Sequence, residues 1–384
     1  MATETEALRL RSRRVSVLDL FLELAAIPSP PGDERAVADR VSEELRGLGL
    51  EVDEDGAGPE IGSTAGNLLA RLAPTADGLP IFLCAHLDTV PPDGPIEPVV
   101  DDGIVRNAGG TILGADNKAA VAVMIEAARR MLSEGRSHAG LELLFTEKEE
   151  VGLRGAYAFD ESQLAARVGF VYDQGAPIGE IVLGAPYAVA LEITFRGQSA
   201  HAGMAPEEGR SAIAAAARAI ADFRLGRIDE ETSANVGTIQ GGSARNIVPD
   251  RCSLQAEVRS HAERKVADLV REMQETVTFA ASLENCEAEV TTERSYRGYR
   301  FRKDEPAVRL AANALEQVGL TPSFALTGGG ADANVFNERG LPCVNLANGM
   351  AAIHSPHEHI AIGDLEAMVD VTLALVDVAR AVSD

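Results

Sequence analysis

Cysteine is scarce in this sequence: Cys84, Cys252, Cys286 and Cys343 are the only four in 384 residues, widely scattered and never in a CxxC arrangement. That argues against a cysteine-based zinc site and for buried free thiols in a reducing cytoplasm. Basic residues are also short, with 35 Lys and Arg against 59 Asp and Glu and a formal net charge of -24. A surface of that sign repels phosphate backbones and anionic lipid, so neither nucleic acid nor a membrane is an expected partner. No apolar stretch is long enough to span a bilayer. Arg9, Arg11, Arg13 and Arg14 precede an apolar run in the manner of a signal peptide. Asp19 and Glu23 interrupt that run, and Leu18, Phe21, Leu22 and Ala25 fall at helical spacing, which predicts a surface helix of the mature fold. Internal repeats and low-complexity linkers are lacking, so the chain reads as globular throughout.

What is present is 46% hydrophobic content, enough for a sizeable core and for two domains. Strand-like runs alternate with helical ones from Val15 to Leu183: "LPIFLCAHL", a helix over Lys118 to Leu132, "LELLFTE" and "GFVYD". That alternation predicts an α/β domain with a mostly parallel sheet. From Pro186 to Tyr296 the texture changes to "AVALEITFRGQ", an Ala-rich helix over Ser211 to Phe223, "SANVGTIQGG", "CSLQAEVRS" and an amphipathic helix from Ala262 to Ala280. This reads as an inserted α+β unit. The first pattern then returns, with a helix over Ala307 to Gln317, the turn "TGGGADAN", the strand "PCVNLA" and a helix from Asp364 to Val382. The expected division is a catalytic domain of residues 1–185 and 298–384 carrying an insertion over 186–297. The Gly58 to Gly66 region reads as a loop.

Chemistry collects where the strands of the first pattern end. Residues two apart on a strand share a side, so His86 and Asp88 of "FLCAHLDTV" can face one way at the carboxyl edge, where open α/β sheets bind ligands. Asp116 stands directly before a long apolar helix, as a ligand or simply as its N-cap. "LLFTEKEEVG" ends in Glu147, Glu149 and Glu150, adjacent carboxylates that repel one another unless a cation or proton intervenes, or unless they are exposed loop acids. Asp173 closes "VGFVYD", and His354, His357 and His359 follow "CVNLA". Five separate segments thus bring His, Asp, Asp, Glu and His to one sheet edge. These are nitrogen and oxygen donors without sulfur, which suits zinc, cobalt or manganese in a catalytic site. A bridging Asp would let so few residues serve two ions and leave room for water.

These residues resemble the M20-type zinc-dependent peptidase and deacylase family, which includes aminotripeptidase (peptidase T), carboxypeptidases acting on folyl-glutamate and acyl-amino-acid deacylases. The likeness runs in order through "HLDTV", "GADNKAA", "TEKEEVG", "YDQG", "GQSAHAG", "ARNIVPD" and "IHSPHEH", over nearly the whole chain. It implies an α/β, phosphorylase/hydrolase-like zinc-peptidase catalytic domain with an inserted α+β lid domain through which such proteins often dimerise. Carried over position by position, His86 and Asp173 would hold one metal, Glu150 and His354 the other, and Asp116 both. Asp88 would hydrogen-bond the far nitrogen of His86, and the Asp116-Asn117 peptide would be cis. Glu149 matches the general base. In the lid, His201 matches the oxyanion-stabilising histidine, and Asn246 and Arg259 match positions that hold substrate; the glycine turn containing Gly329 would lie against substrate. Thr327 departs from the tripeptidase subgroup, which carries an Arg there for the peptide carboxylate. His357 is expected behind the ligands, and His359, His138 and His261 at the surface.

The function expected is a cytoplasmic two-metal exopeptidase of the peptidase T-like branch acting on small peptides. The same machinery could deacylate an N-acyl amino acid or remove a C-terminal residue. A non-catalytic binding or scaffold relative is the reading from another class, and it is disfavoured because the base and every ligand position are retained.

Overall fold

The computed structural model describes residues 16–382; Arg9, Arg11, Arg13 and Arg14 lie outside them. The chain divides into two compact units. One runs up to Leu183 and includes Phe301–Leu326 and the segment from Ala331, and the other comprises Gly184–Arg300 and Thr327–Gly330. Gly329 therefore belongs to the second unit.

The first unit opens with the expected helix, Val17–Ala25, whose interrupting acid has a structural use. Asp19 donates its backbone N–H to Ser16 Oγ at 3.1 Å and accepts from the Ser16 N–H at 3.1 Å, closing a capping box. Leu20, Phe21 and Leu24 on one face of this helix are wholly buried. The central sheet includes, in this order, Val52–Glu54, Leu68–Leu72, Leu141–Thr146, Ile81–His86, Val168–Gln174, Cys343–Ala347 and Glu180–Ala185, and Ser323–Leu326 also pairs with Glu180–Ala185. Ile81–His86 pairs parallel with both its neighbours, and Cys343–Ala347 pairs parallel with Val168–Gln174. The pairings of Leu68–Leu72 and Glu180–Ala185 are antiparallel. Ile81–His86 and Leu141–Thr146 are buried at every residue, as central strands covered on both faces must be, which explains their apolar runs, broken in the second only by Glu142, whose carboxylate accepts from the Ala165 and Ala166 N–H groups.

The helix Ala115–Glu134 is buried on nearly all sides, and its alanines let it pack closely against Val17–Ala25 and Ile362–Arg380. It starts earlier than the predicted Lys118, because the sequence pattern begins to repeat only after a non-helical stretch at Asp116 and Asn117. The Gly58 to Gly66 region, expected to be a loop, contains a short helix, Ala57–Ile61, that ends at Gly62 with φ 69°. The Ser63 N–H donates to the Gly58 carbonyl at 2.8 Å, and Lys148 Nζ donates to the Ile61 carbonyl at 2.9 Å, so a local glycine cap and a distant lysine both satisfy the end of this helix. His138, expected at the surface, is only 5% exposed.

In the second unit, a five-stranded antiparallel sheet has the order Gly226–Arg227, Thr232–Gly241, Arg251–Ser260, Tyr187–Arg196, Glu287–Tyr296. Cys252, Leu254, Ala256, Val258 and Ser260 alternate inward, the period of a half-buried strand. Helices Ala212–Asp222 and Glu263–Leu283 pack against the sheet. The second buries Val266, Leu269, Met273 and Val277, one stripe at helical spacing. Among the described residues no helix is long and apolar enough to cross a membrane.

Candidate metal centre

The parallel register sets the centre. His86 pairs with Thr146 at the end of its strand, so the loop that follows Thr146 and the last residues of Val168–Gln174 emerge at the same carboxyl edge as the histidine. Asp116 arrives there from the start of helix Ala115–Glu134. Gly114 turns the chain at φ 79°, the Asp116-Asn117 peptide is cis, and neither residue is helical. His354, at φ 59°, comes from the loop that follows Cys343–Ala347.

The two imidazoles meet opposite oxygens of one carboxylate. His86 Nε2 lies 3.1 Å from Asp116 Oδ1 and His354 Nε2 lies 3.2 Å from Asp116 Oδ2. Asp173 Oδ1 is 3.8 Å from His86 Nε2, and Glu150 Oε1 is 3.0 Å from His354 Nε2. Donor atoms of His86, Glu149 and Asp173 gather within 4.8 Å of one another, as do those of His86, Asp116 and Glu150. All five expected ligands and Glu149 are thus brought together.

Asp88 does more than expected. His86 Nδ1 faces the Asp88 backbone carbonyl at 2.9 Å, while the nearer carboxylate oxygen is 3.4 Å away. Since a carbonyl only accepts, Nδ1 carries a proton and Nε2 is the nitrogen free to bind a cation. The Asp88 carboxylate also accepts from the backbone N–H of Glu149 at 2.9 Å and of Glu150 at 3.1 Å. It therefore fixes the two-glutamate loop. That loop also needs a glycine: a Cβ on Gly155 would stand 2.4 Å from the Glu147 carbonyl oxygen and 2.5 Å from its nitrogen.

Three supporting residues were not assigned to the site from the sequence. Asn345 Oδ1 accepts from the Asp173 N–H at 2.9 Å and its Nδ2 donates to the Asp173 carbonyl at 2.8 Å. Asp332, 1% exposed, accepts from Thr146 Oγ1 beneath the strand ends. Glu358 binds the turn before Asp116. For Asn345, a polar residue inside the apolar strand "CVNLA", that position was a mark that could have flagged it.

Electrostatics favour a cation. Burial pushes the Glu149 carboxyl well above its ordinary range, and the nearby charge of Asp173 adds to it. Asp173 is pushed up to about 7 by burial and by Asp116. Burial would raise Asp116 too, but hydrogen bonds to His354 and His86 outweigh it and hold this carboxyl below its usual range. Burial disfavours the imidazolium of His86, yet its contacts with Asp116, Asp173 and Asp88 leave its pKa well above the ordinary value. His354 is pushed up to about 10 by Asp116 and Glu150. Without metal, protons on two imidazoles stand between the carboxylates where cations fit. The donor set of two histidines and three carboxylates, free of sulfur, suits zinc, cobalt or manganese.

A pH dependence follows. His354 has a folded pKa raised from 6.5 to about 10, so its ion pairing stabilises the metal-free protein fully below pH 6.5 and is lost as pH rises to 10. Metal must displace these protons, so its affinity changes the opposite way. Thermal unfolding of metal-free and metal-loaded protein across this window should show a gap that widens with pH; a gap independent of pH would contradict the assignment.

The remaining expected residues lie in the second unit. His201 is exposed on a loop, its Nδ1 accepting from the Gly203 and Met204 N–H groups at 3.2 and 3.1 Å. Asn246 is exposed, and its carbonyl accepts from the Ala202 N–H at 2.9 Å. Arg259 pairs with Glu257 at 2.9 Å and donates to the Gly328 carbonyl at 3.3 Å, beside Gly329.

Residues 82–378 match Peptidase family M20/M25/M40. The chain belongs to this family. A Bacillus subtilis protein, YqjE, of uncharacterised function, is 37% identical over 94% of this chain and 98% of its own. The crystal structure of aminopeptidase PepT from Bacillus cereus is 38% identical, with a TM-score of 0.83 over 94% of this chain and 98% of that one. A tripeptidase structure from Staphylococcus aureus is 36% identical, with a TM-score of 0.88 over 95% and 98%. This M20 peptidase is a metallopeptidase of the peptidase T-like branch, and its fold is the mixed α/β fold of those structures.

Proposed function

We propose that this metallopeptidase is a two-metal exopeptidase that removes a residue from the amino end of short peptides. The observation that carries this reading is Asp116 with His86 and His354 on its two oxygens, flanked by Asp173 and Glu150. Asp116, His86 and Asp173 would hold one divalent ion and Asp116, Glu150 and His354 the other. Bound there, zinc, or cobalt or manganese in its place, lowers the pKa of the attacking water towards ~7 and polarises the scissile carbonyl.

The protein's own work falls to Glu149. Buried, and held by Asp88 through its backbone N–H, its carboxylate takes a proton from the attacking water. Its raised pKa suits it to keep that proton and then deliver it to the departing amine. His201 stabilises the developing oxyanion, and Asn246, Arg259 and the turn at Gly329 hold substrate, Arg259 suiting a carboxylate. The second unit serves as lid and homodimer interface, and the enzyme acts in the cytoplasm.

Thr327, standing where the tripeptidase subgroup has an Arg, favours one second reading: deacylation of N-acyl amino acids, or carboxypeptidase action, by the same machinery. Mass spectrometry of free di- and tripeptides, N-acylated amino acids and N-blocked peptides separates the two. Loss of the N-terminal residue from free peptides is expected; turnover confined to N-blocked compounds would overturn the aminopeptidase reading.

A further inference from the structure

We propose that Glu358 is a positioning residue for Asp116, and that it sets the divalent-cation affinity of the centre without touching a cation. Glu358 is 3% exposed. Its Oε2 accepts from the Leu113 N–H at 2.7 Å and the Gly114 N–H at 2.9 Å, and its Oε1 accepts from the Asp116 N–H at 2.9 Å. Three amides converging on one side chain require an acceptor with two oxygens. Glutamine has one, and would turn a donor towards the remaining N–H.

These amides belong to the turn that carries the shared carboxylate. The turn passes through Gly114 at φ 79° and departs from helical geometry at Asp116, so regular helix hydrogen bonding cannot fix it. Glu358 supplies those bonds from outside. The backbone N–H it holds and the carboxylate facing His86 and His354 belong to the same residue, so a shift of the turn moves the carboxylate.

Glu358 is itself anchored with a ligand. Ala351 and His359 exchange backbone hydrogen bonds at 3.0 and 3.1 Å, closing a loop that contains both His354 and Glu358. One closed loop therefore delivers His354 to one oxygen of Asp116 and grips the backbone of Asp116. The negative charge of Glu358 near Asp116 further favours a cation there.

The inference rests on Asp116 being a ligand, as proposed above. Its test is calorimetric titration of chelator-stripped, full-length protein with zinc, for the wild type, Glu358→Gln, Glu358→Asp and Asp116→Ala, with circular dichroism and thermal unfolding of each metal-free form. The expected result is zinc binding about 10- to 100-fold weaker in Glu358→Gln, as for other partners that orient a ligand. The variant should remain folded without metal. A purely structural role would lower metal-free stability and leave the affinity of the folded protein unchanged, and that result overturns the proposal. Should Glu358→Gln fail to fold, Glu358→Asp decides: it keeps the charge but falls one methylene short of the amides, so weakened binding supports the proposal and wild-type affinity overturns it. Wild-type affinity in Asp116→Ala, or no binding by the wild type, overturns the proposed centre itself. Binding lost in Asp116→Ala but unchanged in the Glu358 variants overturns only this inference.

Discussion

Glu149→Gln should lower kcat about 10²- to 10⁴-fold, the range that a positioned acid–base group contributes, while KM and bound metal stay near wild type. The substitution keeps the size of the side chain and the backbone N–H that Asp88 accepts, so the loop geometry survives. What it removes is a carboxylate that can accept a proton from water and release it to an amine. Glu149 also brings a carboxylate oxygen within 4.8 Å of donor atoms of His86 and Asp173, and this gives the experiment a second arm. If the variant loses metal together with activity, Glu149 is a ligand and not the base. Steady-state kinetics beside metal analysis on the same sample distinguishes the two.

Asp116→Ala should have a still broader effect, because one side chain faces both histidines. Both metals should be lost, and activity should fall further than the ~10- to 100-fold typical of losing a residue behind the ligands. The same change should act on the metal-free protein. His354 owes its pKa of about 10 first to Asp116, so the pKa should drop towards its ordinary value, although Glu150 still opposes the fall. Proton NMR titration of the His354 ring in metal-free protein reads this directly. An unchanged titration, or retention of one metal equivalent at wild-type affinity, would show that Asp116 is not shared.

Much of this centre was legible because it stands on regular elements. Parallel strands buried on both faces read as apolar runs, and each run that ends in an acid or a histidine delivers it to one edge. His86, Asp173 and the glutamate pair were found in that way, and Asp116 through the helix that follows it. The supporting shell was not legible for a physical reason. Asp88 was expected on the imidazole of His86, which its carboxylate approaches at 3.4 Å, but its bonds to the Glu149 and Glu150 amides are made by loop conformation and are invisible to periodicity. Asn345, Asp332 and Glu358 likewise act on backbone groups or hydroxyls far away in sequence. The helix Ala57–Ile61 was missed because its five residues are too few to show a helical period. His138 was placed at the surface because its identity suggested it, yet its backbone carbonyl and N–H pair with Thr75 and it lies buried.

The central claim is a pair of metals sharing Asp116. It is tested most directly by a crystal structure of zinc-loaded protein with anomalous scattering recorded on both sides of the zinc edge. Two peaks are predicted, one among His86, Asp116 and Asp173 and the other among Asp116, Glu150 and His354. A single peak, or a peak that Asp116 does not touch, would contradict the account.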